Sequence, residues 1–189
     1  MIKTCIIGAS GYTGAELVNI LAHHDGFALD TLYVSEHSAD AGLPISACHA
    51  SLIGVCDLPL VPINDEILAQ MAWDCDAIFL ATPHEASHDW MTALAGKRAV
   101  IYDLSGAFRL QDKNVFAQYY GFAHTCDEWR NQAVYGLAEW YPQQISEASV
   151  VAVPVSTTPS TTCLYPEPNS DVSMTSIAPL VEAVWTAAC

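Results

Sequence analysis

The sequence predicts an α/β fold, a doubly wound and mostly parallel sheet with helices on both faces, followed by an irregular C-terminal tail. Three observations predict it: short continuous apolar runs, helical-period segments between them, and glycine or proline at the joins. A chain of 189 residues builds one good core but crowds two domains of ordinary size, so one domain plus a remainder is expected.

The first run, "KTCIIG", ends in glycine and is followed by "AELVNILAHH", whose Leu17, Val18, Ile20 and Leu21 recur at helical spacing. Strand, glycine turn and helix result. "ALDTLYV" (Ala28 to Val34) reads as a second strand and the polar "SEHSADAG" as a loop. Asn64, Asp65 and Glu66 suit a helix start over "DEILAQMA", because a side-chain cap and early carboxylates satisfy the exposed N–H groups and oppose the dipole. "DAIFLAT" (Asp76 to Thr82) has the unbroken apolar character of a strand covered on both faces, and Pro83 opens a helix ending near Gly96. "AVIYDLS" (Ala99 to Ser105) and "SVVAVP" (Ser149 to Pro154) are two further buried strands. Strands alternating with helices imply parallel crossovers. From Val155 onward the pattern stops: 15 of the last 35 residues are Ser, Thr or Pro, the composition of a linker or loose terminus. The expected division is 1–154 as a Rossmann-like domain and 155–189 as an atypical tail, in which only "IAPLVEAVWTAAC" can form a helical segment.

"GASGYTG" sets Gly8, Gly11 and Gly14 in a G-x-x-G-x-x-G spacing between the first strand and the first helix. Gly8 permits the tight turn, Gly11 lets the backbone approach a pyrophosphate, and Gly14 lets helix and strand pack closely. With Ser10, Tyr12 and Thr13 they form a candidate nucleotide-binding turn, joined across the cleft by Thr82 and Pro83. At the end of the second strand stand Ser35-Glu36-His37-Ser38, with no Arg or Lys nearby. Hydroxyl donors from Ser35 and Ser38 favour NADP, whose 2′-phosphate repels a carboxylate; the competing reading is two loop serines capping a turn.

Charge and cysteine usage exclude other classes. There are 21 acidic residues against 6 basic, with no Lys or Arg between Lys3 and Lys97 and none after Arg130, a surface that repels a nucleic-acid backbone. No run of 18 apolar residues suggests a membrane span, and no signal peptide leads the chain, which points to the cytoplasm. Seven scattered cysteines without a C-x-x-C pair read as reduced, mostly buried thiols. "HEASH" (His84 to His88) matches the H-E-x-x-H pattern of zinc hydrolases, but it starts a helix beside the nucleotide cleft and no other segment offers a third ligand, so no metal is expected.

"GASGYTGAELV", "ATPHEASH", "DLSGAFR", "YYGF" and "VYGLAEW" occur in an order and spacing that resemble the N-acetyl-gamma-glutamyl-phosphate reductase family. The resemblance covers Met1 to Pro154. It implies an NADPH-binding Rossmann domain in an arginine-biosynthesis enzyme, related to aspartate-semialdehyde dehydrogenase, that reduces N-acetylglutamyl phosphate to the semialdehyde. In the family a cysteine thiolate attacks the acyl phosphate and the resulting thioester is reduced by hydride. It also implies that Ser35 and Ser38 accept the adenosine phosphate and that Ser105, Gly106 and Arg109 lie on the substrate side. Arg109 equally fits a structural cation paired with one of the many acids.

The pattern breaks after Pro154. The family continues Pro-Gly-Cys-Tyr-Pro-Thr, with the cysteine as nucleophile, whereas this chain reads Pro154-Val155-Ser156-Thr157-Thr158-Pro159. Ser156 stands at the cysteine's place, so no catalytic residue is intact, since an unactivated hydroxyl is a far weaker nucleophile. The expectation is a reductase sequence up to Pro154 that then departs from it, as a shift of reading frame produces, inactive by itself. A non-catalytic NADP-binding module is the alternative. A homo-oligomer is expected, because a sheet edge and helices left uncovered expose apolar surface.

Overall fold

A computed structural model of the chain describes residues 1–138, 140–154 and Val181. Seven strands form one sheet in the order β3-β2-β1-β4-β5-β7-β6, every neighbouring pair parallel. The four-residue runs β4 (Ala77–Leu80) and β5 (Val100–Asp103) lie beside β1 (Ile2–Ile7) in the middle of the sheet. β4 is buried at all four positions, as its unbroken apolar run requires. β2 (Phe27–Val34) pairs with β1 on the other side, and β7 (Val150–Ala152) pairs with β5. The predicted strands are all present: β1 is shifted by one residue, β2 is longer by one, and β4, β5 and β7 are three residues shorter than predicted.

Two strands escaped the sequence reading: β3 (Leu60–Pro62) and β6 (Val134–Tyr135), the outermost at either edge. With three and two residues, neither carries a readable period. Pro62 is tolerated because an edge position does not need its missing N–H.

Helices cover both faces, and the residue parity along β1 shows how. Ile6 points into a core layer with Leu17, Val18 and Leu21 of α1 (Tyr12–Ala22), together with Leu32, Phe79 and Tyr102. Cys5 and Ile7 point the other way, against Leu68, Met71 and Ala72 of α3 (Asp65–Asp74) and Met91 and Leu94 of α4 (His84–Leu94). α2 (Ile45–Cys48) and a 3-10 turn at Ala50–Leu52 fill the connection to β3. α5 (Lys113–Tyr120), α6 (Asp127–Gln132) and α7 (Pro142–Ser146) lie between β5 and β7. Val181 is helical and 1% exposed, packed in the α1-side core, so the chain returns to the domain at that point. Ser156 and the tail apart from Val181 lie outside the described residues.

Candidate functional site

Chain order along the sheet reverses at β1: β2 and β3 lie to one side of it, β4 and β5 to the other. In an open parallel sheet the crevice beyond the carboxyl ends at such a reversal is where ligands bind. The glycine turn and Thr82-Pro83 both emerge there.

Each glycine of the turn has a separate job. Gly8 adopts φ +87°, and a Cβ on it would come within 2.2 Å of the Ala81 carbonyl oxygen, so the ends of β1 and β4 meet only around a glycine. A Cβ on Gly14 would sit 2.2 Å from the Gly8 carbonyl oxygen and 2.6 Å from Ala9 Cα, which makes it the contact between helix and turn. Gly11 differs: a Cβ there meets nothing nearer than the Gly8 oxygen at 3.5 Å. Its face is open. The N–H groups of Gly8 and Ala9 donate to the Tyr33 carbonyl at 2.9 and 3.1 Å, tying the turn to β2.

α1 begins at Tyr12 behind Gly11, with no side-chain cap and no acidic residue in its first turn. Its leading N–H groups, those of Tyr12 and Thr13 among them, thus receive no side-chain cap, and the helix dipole adds partial positive charge there. Tyr12 is 92% exposed at this opening, edge-on to His49, whose Nε2 lies 2.7 Å from the Ser10 carbonyl oxygen. His49 was not anticipated; it comes from the segment after β2 and braces the turn from outside.

At the end of β2, Ser35 is exposed and its carbonyl accepts the Ser38 N–H at 3.0 Å. Ser38 Oγ accepts the Asp40 N–H at 3.2 Å, which is the turn-capping role, and its own hydroxyl hydrogen is still available to donate. Pro83 is the N-cap residue of α4, again without a side-chain cap bond, and the Thr82 and Ser87 hydroxyls pair at 2.7 Å.

The loop after β5 is built on a buried carboxylate. Asp103, fully buried, accepts the Ser105 N–H at 3.0 Å and the Ser105 hydroxyl at 2.6 Å through Oδ1. Burial pushes its pKa above the usual carboxylate range, opposed by those two bonds and by the nearby Arg109. Ser105 Oγ accepts in turn from Ala107 N–H at 3.1 Å, and Gly106 has φ +89° and would press a Cβ within 2.8 Å of the Tyr120 hydroxyl, so both its backbone and its surroundings call for glycine. Among the described residues, the hydrogen bonds of Arg109 go to carbonyls: Nε donates to Val153 O at 2.9 Å and one terminal nitrogen to Leu104 O at 2.7 Å. Of the two readings of Arg109, the structural cation finds carbonyls in place of a carboxylate among the described residues. A planar guanidinium matches two backbone oxygens from neighbouring strand ends.

The two histidines of "HEASH" part company. His84 stacks edge-on to Tyr120 at 4.5 Å between ring centres, while His88 turns inward with Nδ1 2.9 Å from Asp89 Oδ1 and Nε2 accepting the Thr125 N–H at 3.1 Å. Both His88 nitrogens are engaged, and among the described residues no three His, Cys, Asp or Glu side chains gather as metal ligands. Beside His88 lies His124, 4% exposed among Phe108 and Phe116 and held to a pKa of about 4 by burial, then by His88 and Arg130. Asp103 and His124 sat inside or beside quoted motifs without being singled out; a carboxylate closing an apolar run was the signal for the first.

Comparison with known proteins agrees with this geometry. Residues 3–148 match the model of the family "Semialdehyde dehydrogenase, NAD binding domain". The N-acetyl-gamma-glutamyl-phosphate reductase of Pseudoalteromonas atlantica is 54% identical over 154 residues, 82% of this chain and 45% of that protein. The reductase of Alteromonas mediterranea is 49% identical over 185 residues, 97% of this chain and 55% of that protein, an alignment that continues past Pro154. The chain spans about half the length of the curated relatives it matches. Among solved structures, aspartate semialdehyde dehydrogenase with NADP from Candida albicans aligns at TM-score 0.57 and 11% identity, covering 83% of this chain and 43% of that one. With an open glycine turn at the sheet's reversal and these relatives, the chain belongs to the semialdehyde dehydrogenase NAD-binding family, a nicotinamide-cofactor domain whose curated homologues here are N-acetyl-gamma-glutamyl-phosphate reductases.

Proposed function

We propose that residues 1–154 are the cofactor domain of an N-acetyl-gamma-glutamyl-phosphate reductase and that the cofactor is NADP. The observation that carries the reading is the β1–α1 turn, where Gly8 and Gly14 are packed against backbone while the Gly11 face and the uncapped helix start stay open. In this reading the N–H groups around Ser10, Gly11, Tyr12, Thr13 and Gly14 hold the pyrophosphate. The Ser35 and Ser38 hydroxyls donate to the 2′-phosphate, and Thr82 and Pro83 border the nicotinamide side. When bound, the cofactor supplies hydride for reduction of an acyl group. Ser105, Gly106 and Arg109 shape the substrate side, with Arg109 acting as a positioning residue through Val153.

Residues 155–189 stand in this proposal where the family's catalytic half begins, and Ser156 at the cysteine's position leaves the chain without acyl-phosphate turnover. A cytoplasmic location follows from the biosynthetic role of the homologues, and self-association is suggested by Trp140, 69% exposed. Titration with NADPH and NADH, followed by an assay for N-acetylglutamyl phosphate reduction, tests the reading. NADPH binding at least tenfold tighter than NADH, with no turnover, is expected; equal affinities would remove the NADP assignment, and turnover the inactivity. Translating the coding DNA across codons 145–189 in all three frames tests the departure after Pro154. Recovery of Gly-Cys-Tyr-Pro-Thr in another frame supports a frame shift; its absence from every frame makes the present sequence native.

A further inference from the structure

In the core layer on the α3-facing side of the sheet, two thiols meet. Cys5, on the α3-facing side of β1, and Cys75, the residue closing α3, are 1% and 2% exposed with their sulfurs 2.7 Å apart. The backbone holds them so. Asp76 N–H donates to the Lys3 carbonyl at 2.8 Å and the Asp76 carboxylate accepts the Lys3 N–H at 2.9 Å, locking the residue after Cys75 to the residue two before Cys5. Cys5 also falls at the register shift between β1 and β2, an irregularity of the kind that re-aims a side chain. The pair borders a cavity of about 220 Å³ lined also by Lys3, Asp30, Tyr33 and Met71. That is several times the roughly 30 Å³ share of a water molecule, so a small oxidant fits. No step of the cofactor chemistry involves this cluster.

We propose that Cys5 and Cys75 form a modification site, a buried dithiol converted reversibly to a disulfide by a small two-electron oxidant such as hydrogen peroxide. The chemistry is asymmetric. The Cys5 thiol's hydrogen bond, opposed by burial and helped by the Lys3 ammonium, holds Cys75 below the ordinary thiol range, while that bond and burial raise Cys5. Cys75 is therefore the attacking thiolate. It attacks one peroxide oxygen; the S–O bond forms as the O–O bond breaks and hydroxide leaves. The Cys5 sulfur then attacks the Cys75 sulfur, the S–S bond forms and the S–O bond breaks. The protons of the two thiols end in water, so two thiols and one peroxide give one disulfide and two waters. The cross-link joins residues 70 positions apart and encloses β2, β3 and α3, a loop long enough to raise Tm by on the order of 10 °C.

The test uses the purified, reduced 189-residue chain. It is treated with hydrogen peroxide at neutral pH, alkylated after unfolding, digested without reduction and mapped by mass spectrometry. A peptide linking Cys5 to Cys75, undone by dithiothreitol and accompanied by the rise in Tm, is the expected result. Cys75→Ser should lose both the link and the shift. Recovery of both cysteines as alkylated thiols, their separate over-oxidation, or linkage of either to a different cysteine would overturn the proposal. The mapping of the unsubstituted chain decides the matter even where the variant fails to fold.

Discussion

α1 and α3 both begin at the carboxyl edge of the same sheet, yet their first turns are finished differently. α3 completes itself: the Asn64 side chain accepts the Ile67 N–H at 2.8 Å, and Asp65 and Glu66 put negative charge at the positive end of the dipole. α1 starts from a glycine, with neither a cap nor an acid. The difference teaches where the fold spends its side chains. After the edge strand β3 the chain satisfies its helix's own donors, and at the reversal between β1 and β4 it leaves the helix start uncapped.

The strongest way to break this comparison is to fill the turn. Gly8→Ala forces a Cβ to 2.2 Å from Ala81 O at φ +87° and should cost about 3 kcal/mol or more, read as a fall in denaturant midpoint or loss of the folded chain. Gly11→Ala, at φ −74°, should leave stability within about 1 kcal/mol while weakening NADPH at least tenfold by titration. Unchanged NADPH affinity in Gly11→Ala would show that the open face is not the cofactor cradle.

Smaller in reach but similar in size is an effect of pH away from the turn. His124 has its folded pKa lowered from 6.5 to about 4, so its stabilising contribution is complete above 6.5 and is lost as pH falls towards 4. On the order of 3 kcal/mol should disappear across that window in the parent chain, and His124→Phe should flatten that part of the profile. The smallest effect belongs to α3: Asn64→Ala should cost about 1 kcal/mol in thermal unfolding and leave cofactor binding unchanged. A loss of NADPH affinity in that variant would undo the division between self-completed and open helices.

What could be read from the sequence follows the range of the interactions. β1, β4, β5 and β7 announced themselves because strands buried on both faces are continuous apolar runs, and the Asn64 cap was legible because its partner is three residues away. β3 and β6 were not legible, being too short to have a period and held only by pairing with β2 and β7. At the site, Gly8 and Gly14 could be named from spacing, since the turn itself demands them. Arg109 could not be resolved, because its partner Val153 lies 44 positions on and is a carbonyl, which any residue type supplies. The same holds for His88 and Thr125, 37 positions apart, whose contact diverts the zinc-like pattern.

The bonds from Arg109 to Leu104 and Val153 carry one more implication. They bind the exit of β5 and the exit of β7 into a single rigid mount, so the direction in which the polypeptide leaves the sheet at Pro154 is set by residues upstream of it. The domain thus behaves as a socket whose orientation is fixed in advance of whatever is plugged into it. A continuation can change in sequence without the launch point moving.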